Sequence, residues 1–333
     1  MLIIAEIGVN HNGDPDRAEK LIRAAKAAGA NAVKFQHFSA DKLALANTPK
    51  VKYQFSTTSK SETHQQMLQK LQITDEIEAV ALNTCAEIGI EFLSTPYDPA
   101  SVDHLLALNC RYIKTASADI VDHRIHERIA SSDANAIVAV GMATLDEIDD
   151  VVEIYRRNNK SPILLHCVSS YPCSHESLNM RVISLLQERY ELQIGFSDHS
   201  IDHRAATIAY TMGCRVFEKH FTLDKFDVGP DHKASSTPDE FAILVKELEL
   251  TEKILGNKVK SLQEEERAMH QISRKSIHTI QPIKKGDLFT EDNITMIRPG
   301  INGLNGSKYY EIIGKTAKED ILQNVQIKVG HFE

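Results

Sequence analysis

The sequence predicts an α/β chain: a closed TIM (β/α)8 barrel followed by a small, mostly-β domain. Three observations carry this expectation. Short apolar runs alternate with segments of helical periodicity from the first residue, eight such units fill about 255 residues, and the pattern changes after Leu255-Gly256. An open doubly wound sheet shows the same alternation. Eight regular units without a Gly-x-Gly-x-x-Gly turn favour closure.

The expected strands are Leu2–Ile7, Ala32–Gln36, Glu91–Ser94, Tyr112–Lys114, Ala136–Val140, Ile163–Val168, Leu192–Phe196 and Val216–Phe217. After the first, Ala18, Leu21, Ile22, Ala25 and Ala28 fall on one helical face. Asp14 caps that helix, Pro15 suits its first turn and Gly29 its end. Thr144 with Glu147, and Thr237 with Glu240, predict capping boxes. The connection from Phe38 to about Gln72 is long enough for a lid over the C-terminal face of the barrel, where active sites sit. Residues 1–256 thus form the barrel and 257–273 read as a polar linker. Residues 274–333 carry short β-like pieces, with little core of their own.

Composition narrows the function. With 42% apolar and 25% charged residues the chain is not disordered or low-complexity. A net charge of −8 argues against nucleic acid or an anionic membrane as main partner. No apolar run approaches a membrane span, and Met1-Leu2-Ile3-Ile4-Ala5-Glu6 lacks the basic start of a signal peptide. Cys85, Cys110, Cys167, Cys173 and Cys214 lack Cys-x-x-Cys spacing and read as reduced thiols of a cytoplasmic protein.

In a barrel, polar residues at strand ends share one site. Those ends carry Glu6, Asn10 and His11; Lys34 and Gln36; Thr95; Lys114, Ser117 and Asp119; His166, Ser169 and Tyr171; Ser197, Asp198 and His199; and Lys219 and His220. Lysines and hydroxyls on one face suit a phosphate. His199 and His220 end neighbouring strands and can hold one metal; two hydrogen-bonded core histidines are an equal alternative. Lys114 reads as a Schiff-base lysine, a phosphate contact or an ion-pair partner. Glu6 reads as a structural acid, a general base or a metal ligand. Cys167 reads as an inert core thiol rather than a nucleophile.

Longer words are more specific. Ala5-Glu6-Ile7-Gly8-Val9-Asn10-His11-Asn12-Gly13, Val33-Lys34-Phe35-Gln36, Ser94-Thr95-Pro96-Tyr97, Leu165-His166-Cys167, Gly195-Phe196-Ser197-Asp198-His199-Ser200, Phe217-Glu218-Lys219-His220-Phe221-Thr222 and Gly229-Pro230-Asp231-His232-Lys233-Ala234-Ser235 closely resemble the bacterial sialic acid synthase family. The tail, with Arg274-Lys275-Ser276, Ile283-Lys284-Lys285-Gly286, Arg298-Pro299-Gly300 and Lys315, resembles that family's antifreeze-like (SAF) domain.

The resemblance implies condensation of phosphoenolpyruvate (PEP) with an open-chain N-acetylated amino sugar, with phosphate leaving by C–O cleavage. It implies Mn²⁺ or Mg²⁺ on His199 and His220, and PEP held by Lys34, Thr95, Lys114, Ser117, Ser169 and Ser197. It gives Glu6 a proton or the attacking water to handle. It gives Gln36, Asp119, Tyr171 and Asp231 the sugar, with Arg298 arriving from the SAF domain of a second subunit in a domain-swapped homodimer. The chain departs from the family pattern at Ser117-Ala118-Asp119 (Ser-Gly-Glu in the family), at Ala139-Val140-Gly141-Met142 (Ser-Thr-Gly-Met) and at Ser169 (Asn). N-acetylmannosamine and a diacetamido-trideoxyhexose, the legionaminate precursor, compete as acceptor, and a non-catalytic sugar-binding paralogue is the alternative from another class. The word at 229–235 argues against a pseudaminate-type substrate.

Overall fold

The structure is a computed structural model and describes every residue except 52, 53, 60 and 301. The chain divides into two compact units, Met1–Gly256 and Asn257–Glu333. The first is a closed parallel barrel of β1 (Leu2–Gly8), β2 (Ala32–His37), β3 (Glu91–Pro96), β4 (Tyr112–Thr115), β5 (Asn135–Ala139), β6 (Ile163–His166), β7 (Ile194–Asp198) and β8 (Val216–His220), with β1 pairing β2 on one side and β8 on the other. Three strands differ from the sequence expectation in a way that matters below: β2 runs on to His37, β3 to Pro96 and β8 to His220.

The first unit carries α1 (Pro15–Ala27), α2 (Ala40–Leu43), α3 (Gln54–Thr57), α4 (His64–Leu71), α5 (Asp75–Ile88), α6 (Pro99–Ala107), α7 (His123–Ala130), α8 (Leu145–Arg157), α9 (Val182–Tyr190), α10 (Arg204–Thr211) and α11 (Pro238–Leu255). The Asp14 side chain accepts from the Asp16 and Arg17 amides, Pro15 opens α1, and Gly29 follows its end at φ +95°. The predicted capping boxes form at Thr144/Glu147 and Thr237/Glu240. Outward strand residues such as Ile3, Ala5, Ile7, Val33 and Phe35 join the inward faces of the helices in one continuous core. Each fully buried aliphatic side chain there contributes roughly 1.5–3 kcal/mol. Inside the barrel, Ile4, Ala32, Leu93, Ile137, Leu165 and Val216 form a separate apolar floor.

The long connection after β2 is folded. Met67, Leu68 and Leu71 of α4 pack on Val9, Phe38, Ala40 and Ala44. The buried Lys50 ammonium donates to Thr58 Oγ1 (2.9 Å), Ser59 O (2.8 Å) and Glu62 Oε1 (2.9 Å). The Gly229 amide, in the loop after β8, donates to Thr57 O. No helix among the described residues is long and apolar enough to cross a membrane.

The second unit pairs β9 (Ser276–Thr279) antiparallel with β10 (Ile294–Ile297). It has more core than its length suggests: Ile277, Ile283, Phe289, Ile294, Ile312, Ala317, Ile321 and Ile327 are all buried together. Residues 257–273 are not bare linker but group with this unit and contain α12 (Arg267–Ser273).

Candidate active site

Side chains alternate along a strand, so the residue two places above each floor residue also points into the barrel. Above Ile4, Ala32, Leu93 and Val216 stand Glu6, Lys34, Thr95 and Glu218, and Lys114 joins them from β4. All five are buried. They line a cavity of about 410 Å³ at the C-terminal ends of the strands, within the range of small-molecule sites. Gln36, Ser117, Ser169, Tyr171, Ser197, His199, His220 and Asp231 line it too.

The centre is an alternation of charge. Lys34 Nζ lies 2.7 Å from Glu6 Oε2 and 3.9 Å from Glu218 Oε2, and donates to Thr95 Oγ1 at 2.8 Å. Lys114 Nζ and Ser197 Oγ each donate to Glu218 Oε1 at 3.1 Å. Gln36 Nε2 donates to Glu6 Oε1 at 2.7 Å, and Tyr97 Oη donates to Gln36 Oε1 at 3.3 Å. Gly8 makes this possible: its φ is +53°, and a Cβ there would meet Glu6 Oε1 at 2.8 Å and Gln36 Nε2 at 2.9 Å. Gly141 plays the same part opposite, where a Cβ would strike Ser169, Cys167 and Ser117 within 2.9 Å.

The two carboxylates are driven apart. Burial raises the Glu6 pKa above the ordinary carboxylate value, more than Lys34 pulls it back, and the Glu218 charge adds to the rise. Burial acts on Glu218 as well, but Lys114 and Lys34 outweigh it and hold the pKa down to about 2. The Glu218 charge in turn keeps the Lys114 ammonium protonated against its burial, which argues against an amine poised for Schiff-base chemistry. Burial pushes the Cys167 thiol up, in keeping with an inert core thiol.

His199 and His220 face each other with ring centroids 5.6 Å apart, and Tyr171 lies 4.2 Å from the His199 ring. Burial lowers His199 to about 4 and holds His220 well below the ordinary imidazole value, so both rings are neutral. His199 Nδ1 donates to Val168 O at 2.8 Å, which leaves Nε2 its lone pair. His220 Nδ1 and Glu218 Oε2 are buried without a hydrogen bond. Two neutral imidazoles beside an ionised carboxylate fit a divalent cation. A tighter group of metal-type ligands, His37, Glu78 and His104, lies outside this cavity.

Several strand-end residues do not reach the cavity. Lys219 points outward to Asp198 Oδ2 (2.7 Å) and Ser200 O (2.8 Å). His166 Nε2 is bonded to Leu178 O, His11 Nδ1 accepts from the Gly13 amide, and Asn10 donates to Phe221 O and Ser235 Oγ. Asp119 lies in a neighbouring groove with Lys42, Asp122 and Arg124, and Tyr97 lines both spaces. Its Oδ2 is buried without a hydrogen bond, and burial, with the Asp122 charge, raises its pKa to about 7. Arg298 is exposed in the second unit, after β10. Sequence reasoning missed Glu218, which the spacing to His220 signals, and Gln54 and His64, which the connection after β2 brings to the cavity.

Comparison with known proteins agrees. The NeuB family model matches residues 21–260 and the SAF domain model residues 274–332. The chain is 37% identical to the N,N'-diacetyllegionaminic acid synthase of Campylobacter jejuni, covering 98% of both chains. It is 35% identical to the synthase of the same name from Legionella pneumophila, over 99% of this chain and 94% of that one. The crystal structure of N-acetylneuraminic acid synthetase from Leptospira borgpetersenii superposes with a TM-score of 0.71 at 31% identity, covering 80% of this chain and 89% of the other. A closed barrel with this charged mouth, followed by a SAF domain, places the chain in the NeuB, or bacterial sialic acid synthase, family.

Proposed function

We propose that this chain is a nonulosonic acid synthase that condenses PEP with an open-chain N-acetylated amino sugar, N-acetylmannosamine or a close analogue. The observation that carries the reading is the buried Glu6–Lys34 and Glu218–Lys114 centre beneath two neutral imidazoles. Lys34 and Lys114, with the hydroxyls of Thr95, Ser117, Ser169 and Ser197, supply the cations and donors that a phosphate and a carboxylate on one small molecule require.

Charge bookkeeping refines this. Two lysines and two carboxylates sum to zero when all are ionised, and PEP is a multiple anion. A neutral buried centre holds it only with added positive charge. The raised pKa of Glu6 offers one source, a proton taken up as PEP binds. A Mn²⁺ or Mg²⁺ on His199 and His220 is the other, and when bound it supplies Lewis acidity at the sugar aldehyde. In the reaction C3 of PEP bonds to the aldehyde carbon, water adds at C2, and the C2–O bond to phosphate breaks. Glu6, oriented by Gln36, handles the proton at the water or at the new alkoxide. Gln36, Tyr171 and Asp231 hold the sugar inside the cavity, and a sugar substituent that extends past Tyr97 into the neighbouring groove is what Asp119 would contact.

Leu45, Val51, Met142, Ile201, Phe226 and Val228 are exposed on loops after four of the strands, and Val51 and Met142 among them line the cavity; we read them as an apolar rim of the mouth. That rim favours a cover, and the SAF domain of a second copy carrying Arg298 is the cover we infer. Mixing Arg298→Ala with His199→Ala subunits then restores partial activity in heterodimers. Heterodimers without activity contradict the swap. The cytoplasmic location we propose rests on PEP, a multiply charged anion that does not cross a bilayer unaided.

The N,N'-diacetyllegionaminic acid synthases among the relatives favour a second reading, in which the acceptor is a diacetamido-trideoxyhexose. Phosphate release from PEP with Mn²⁺ and a panel of amino sugars tests both. Release that depends on an acceptor is the expected result, and the ratio of kcat/KM values decides between sugars. No release with any amino sugar leaves a non-catalytic sugar-binding paralogue.

A further inference from the structure

The strand that delivers Gln36 to the cavity delivers its neighbour His37 to the opposite face. There His37 meets Glu78 from the first turn of α5 and His104 from the last turns of α6. His37 Nε2 lies 2.7 Å and His104 Nε2 2.6 Å from the same oxygen, Glu78 Oε2. On its other side His37 Nδ1 lies 2.6 Å from Ser94 Oγ of β3. His37 is buried, while the His104 side chain is 49% exposed. A groove of about 260 Å³, bordered by Phe38, Ser39, Lys42 and Asp98, opens onto His37 and His104.

We propose that His37, Glu78 and His104 form a second divalent-metal site of zinc type, separate from the catalytic mouth. Two imidazoles and one carboxylate are a known zinc ligand set, with a fourth position left for water. The half-exposed His104 and the groove provide that open side. Ser94 is the outer partner that fixes the His37 ring: in the metal-bound tautomer Nδ1–H donates to Ser94 Oγ and Nε2 faces the metal, and in the metal-free tautomer Ser94 O–H donates to Nδ1 while Nε2–H donates to Glu78. Without a metal, ring protons hold the three ligand atoms together. Bonds of about 2.0–2.1 Å to zinc need them roughly 3.3 Å apart. The opening required is under about 1 Å, and the exposed His104 side chain has room to give it.

The placement indicates what the metal does. His37 immediately precedes the long connection after β2, and Glu78 stands at the start of the helix that ends it, 41 residues later. A metal shared by them clips the two ends of the segment that brings Gln54, His64 and Met67 over the cavity. Closing a long loop in this way stabilises chiefly by restricting the unfolded chain. The role is structural, and it does not depend on which sugar the enzyme uses or on whether it is a synthase.

Zinc titration tests it. The full-length His199→Ala/His220→Ala variant, stripped with EDTA and dialysed, removes the catalytic pair from the count. Calorimetry with ZnCl₂ should give one zinc per chain, and zinc at about 100 times its Kd should raise Tm by roughly 5–10 °C. Proteolysis between residues 38 and 74 should slow. Ser94→Ala in that background should weaken zinc by roughly 10–100-fold, and His104→Ala or Glu78→Gln by more. Co²⁺ in place of zinc should give an intense tetrahedral visible spectrum that His104→Ala abolishes. If the double variant does not fold, the difference in zinc content between wild type and His104→Ala reads the same quantity. No saturable zinc binding, or an equal zinc content with and without His104, overturns the proposal.

Discussion

The floor and the mouth of the barrel are made by the same strands, two residues apart, and the two layers are equally buried. Ile4, Ala32, Leu93 and Val216 are 0–2% exposed; Glu6, Lys34, Thr95 and Glu218 above them are 1–3% exposed. What differs is the chemistry placed there. The apolar floor removes water from beneath the charged layer, so each charge feels its neighbours at low effective dielectric. That is why one carboxyl of the mouth is raised and the other held near 2. The step fails on two strands: above Ile137 and Leu165 stand Ala139 and Cys167, so the charge gathers on the β8-β1-β2-β3-β4 side.

Breaking the mouth should cost activity and breaking the floor should cost stability. The largest effect is expected at the imidazoles: His199→Ala or His220→Ala abolishes turnover in an acceptor-dependent phosphate assay, with the circular dichroism of the barrel unchanged. Chelation of the wild type should do the same, and Mn²⁺ should restore it. Glu6→Gln keeps the contact to Gln36 but removes the proton carrier, so kcat should fall roughly 10²–10⁴-fold. Glu218→Gln leaves Lys114 and Lys34 short of a negative charge and should lower kcat by roughly 10²–10³-fold, while PEP, free to meet both ammonium groups, binds no more weakly. A rise in the Kd for PEP would show that Glu218 shapes the pocket instead of balancing its charge.

Below the charged layer, Leu93→Ala should destabilise by roughly 2–5 kcal/mol in urea melts yet leave the kcat of the folded fraction within a few fold. A collapse of kcat at unchanged Tm would erase the distinction between the layers. The smallest effect is expected at Asp231. Burial, with the Glu6 charge, raises its pKa to about 7 in the folded chain, against about 3.9 unfolded. The folded state therefore holds more protons in that window, and this group's contribution to stability falls as pH rises through it. Asp231→Asn should melt a few degrees above wild type at pH 8, with the gap closing as pH falls from 7 towards 4.

Much of this was legible in the residues and some was not, for definable reasons. Eight strands, the Asp14 cap and two capping boxes follow from local patterns that tertiary packing did not override. Glu218 escaped because its apolar run stops at Phe217. With the strand read three residues short, the alternation that turns Glu218 and His220 inward and Lys219 outward had no phase. The groove Asp119 occupies was not legible: Ser117–Val121 winds as a 3₁₀ turn after β4, and Asp119 comes off it beyond Tyr97, into the space next to the cavity. His37 and His104 lie 67 residues apart by number and on different elements, so only the fold brings them to Glu78. The core of the second unit was underread because Ile283, Phe289 and Ile321 sit among turns and isolated bridges, without a strand or helix period.

The central claim is that the charged mouth turns PEP and an amino sugar into a nonulosonic acid by cleaving carbon from oxygen. PEP labelled with ¹⁸O at the atom bridging C2 and phosphorus tests it most directly. After turnover with the preferred amino sugar and Mn²⁺, mass spectrometry of the released phosphate should find the label there, because the C2–O bond breaks. Label retained in the organic product, with unlabelled phosphate, would mean cleavage at phosphorus and would contradict the account.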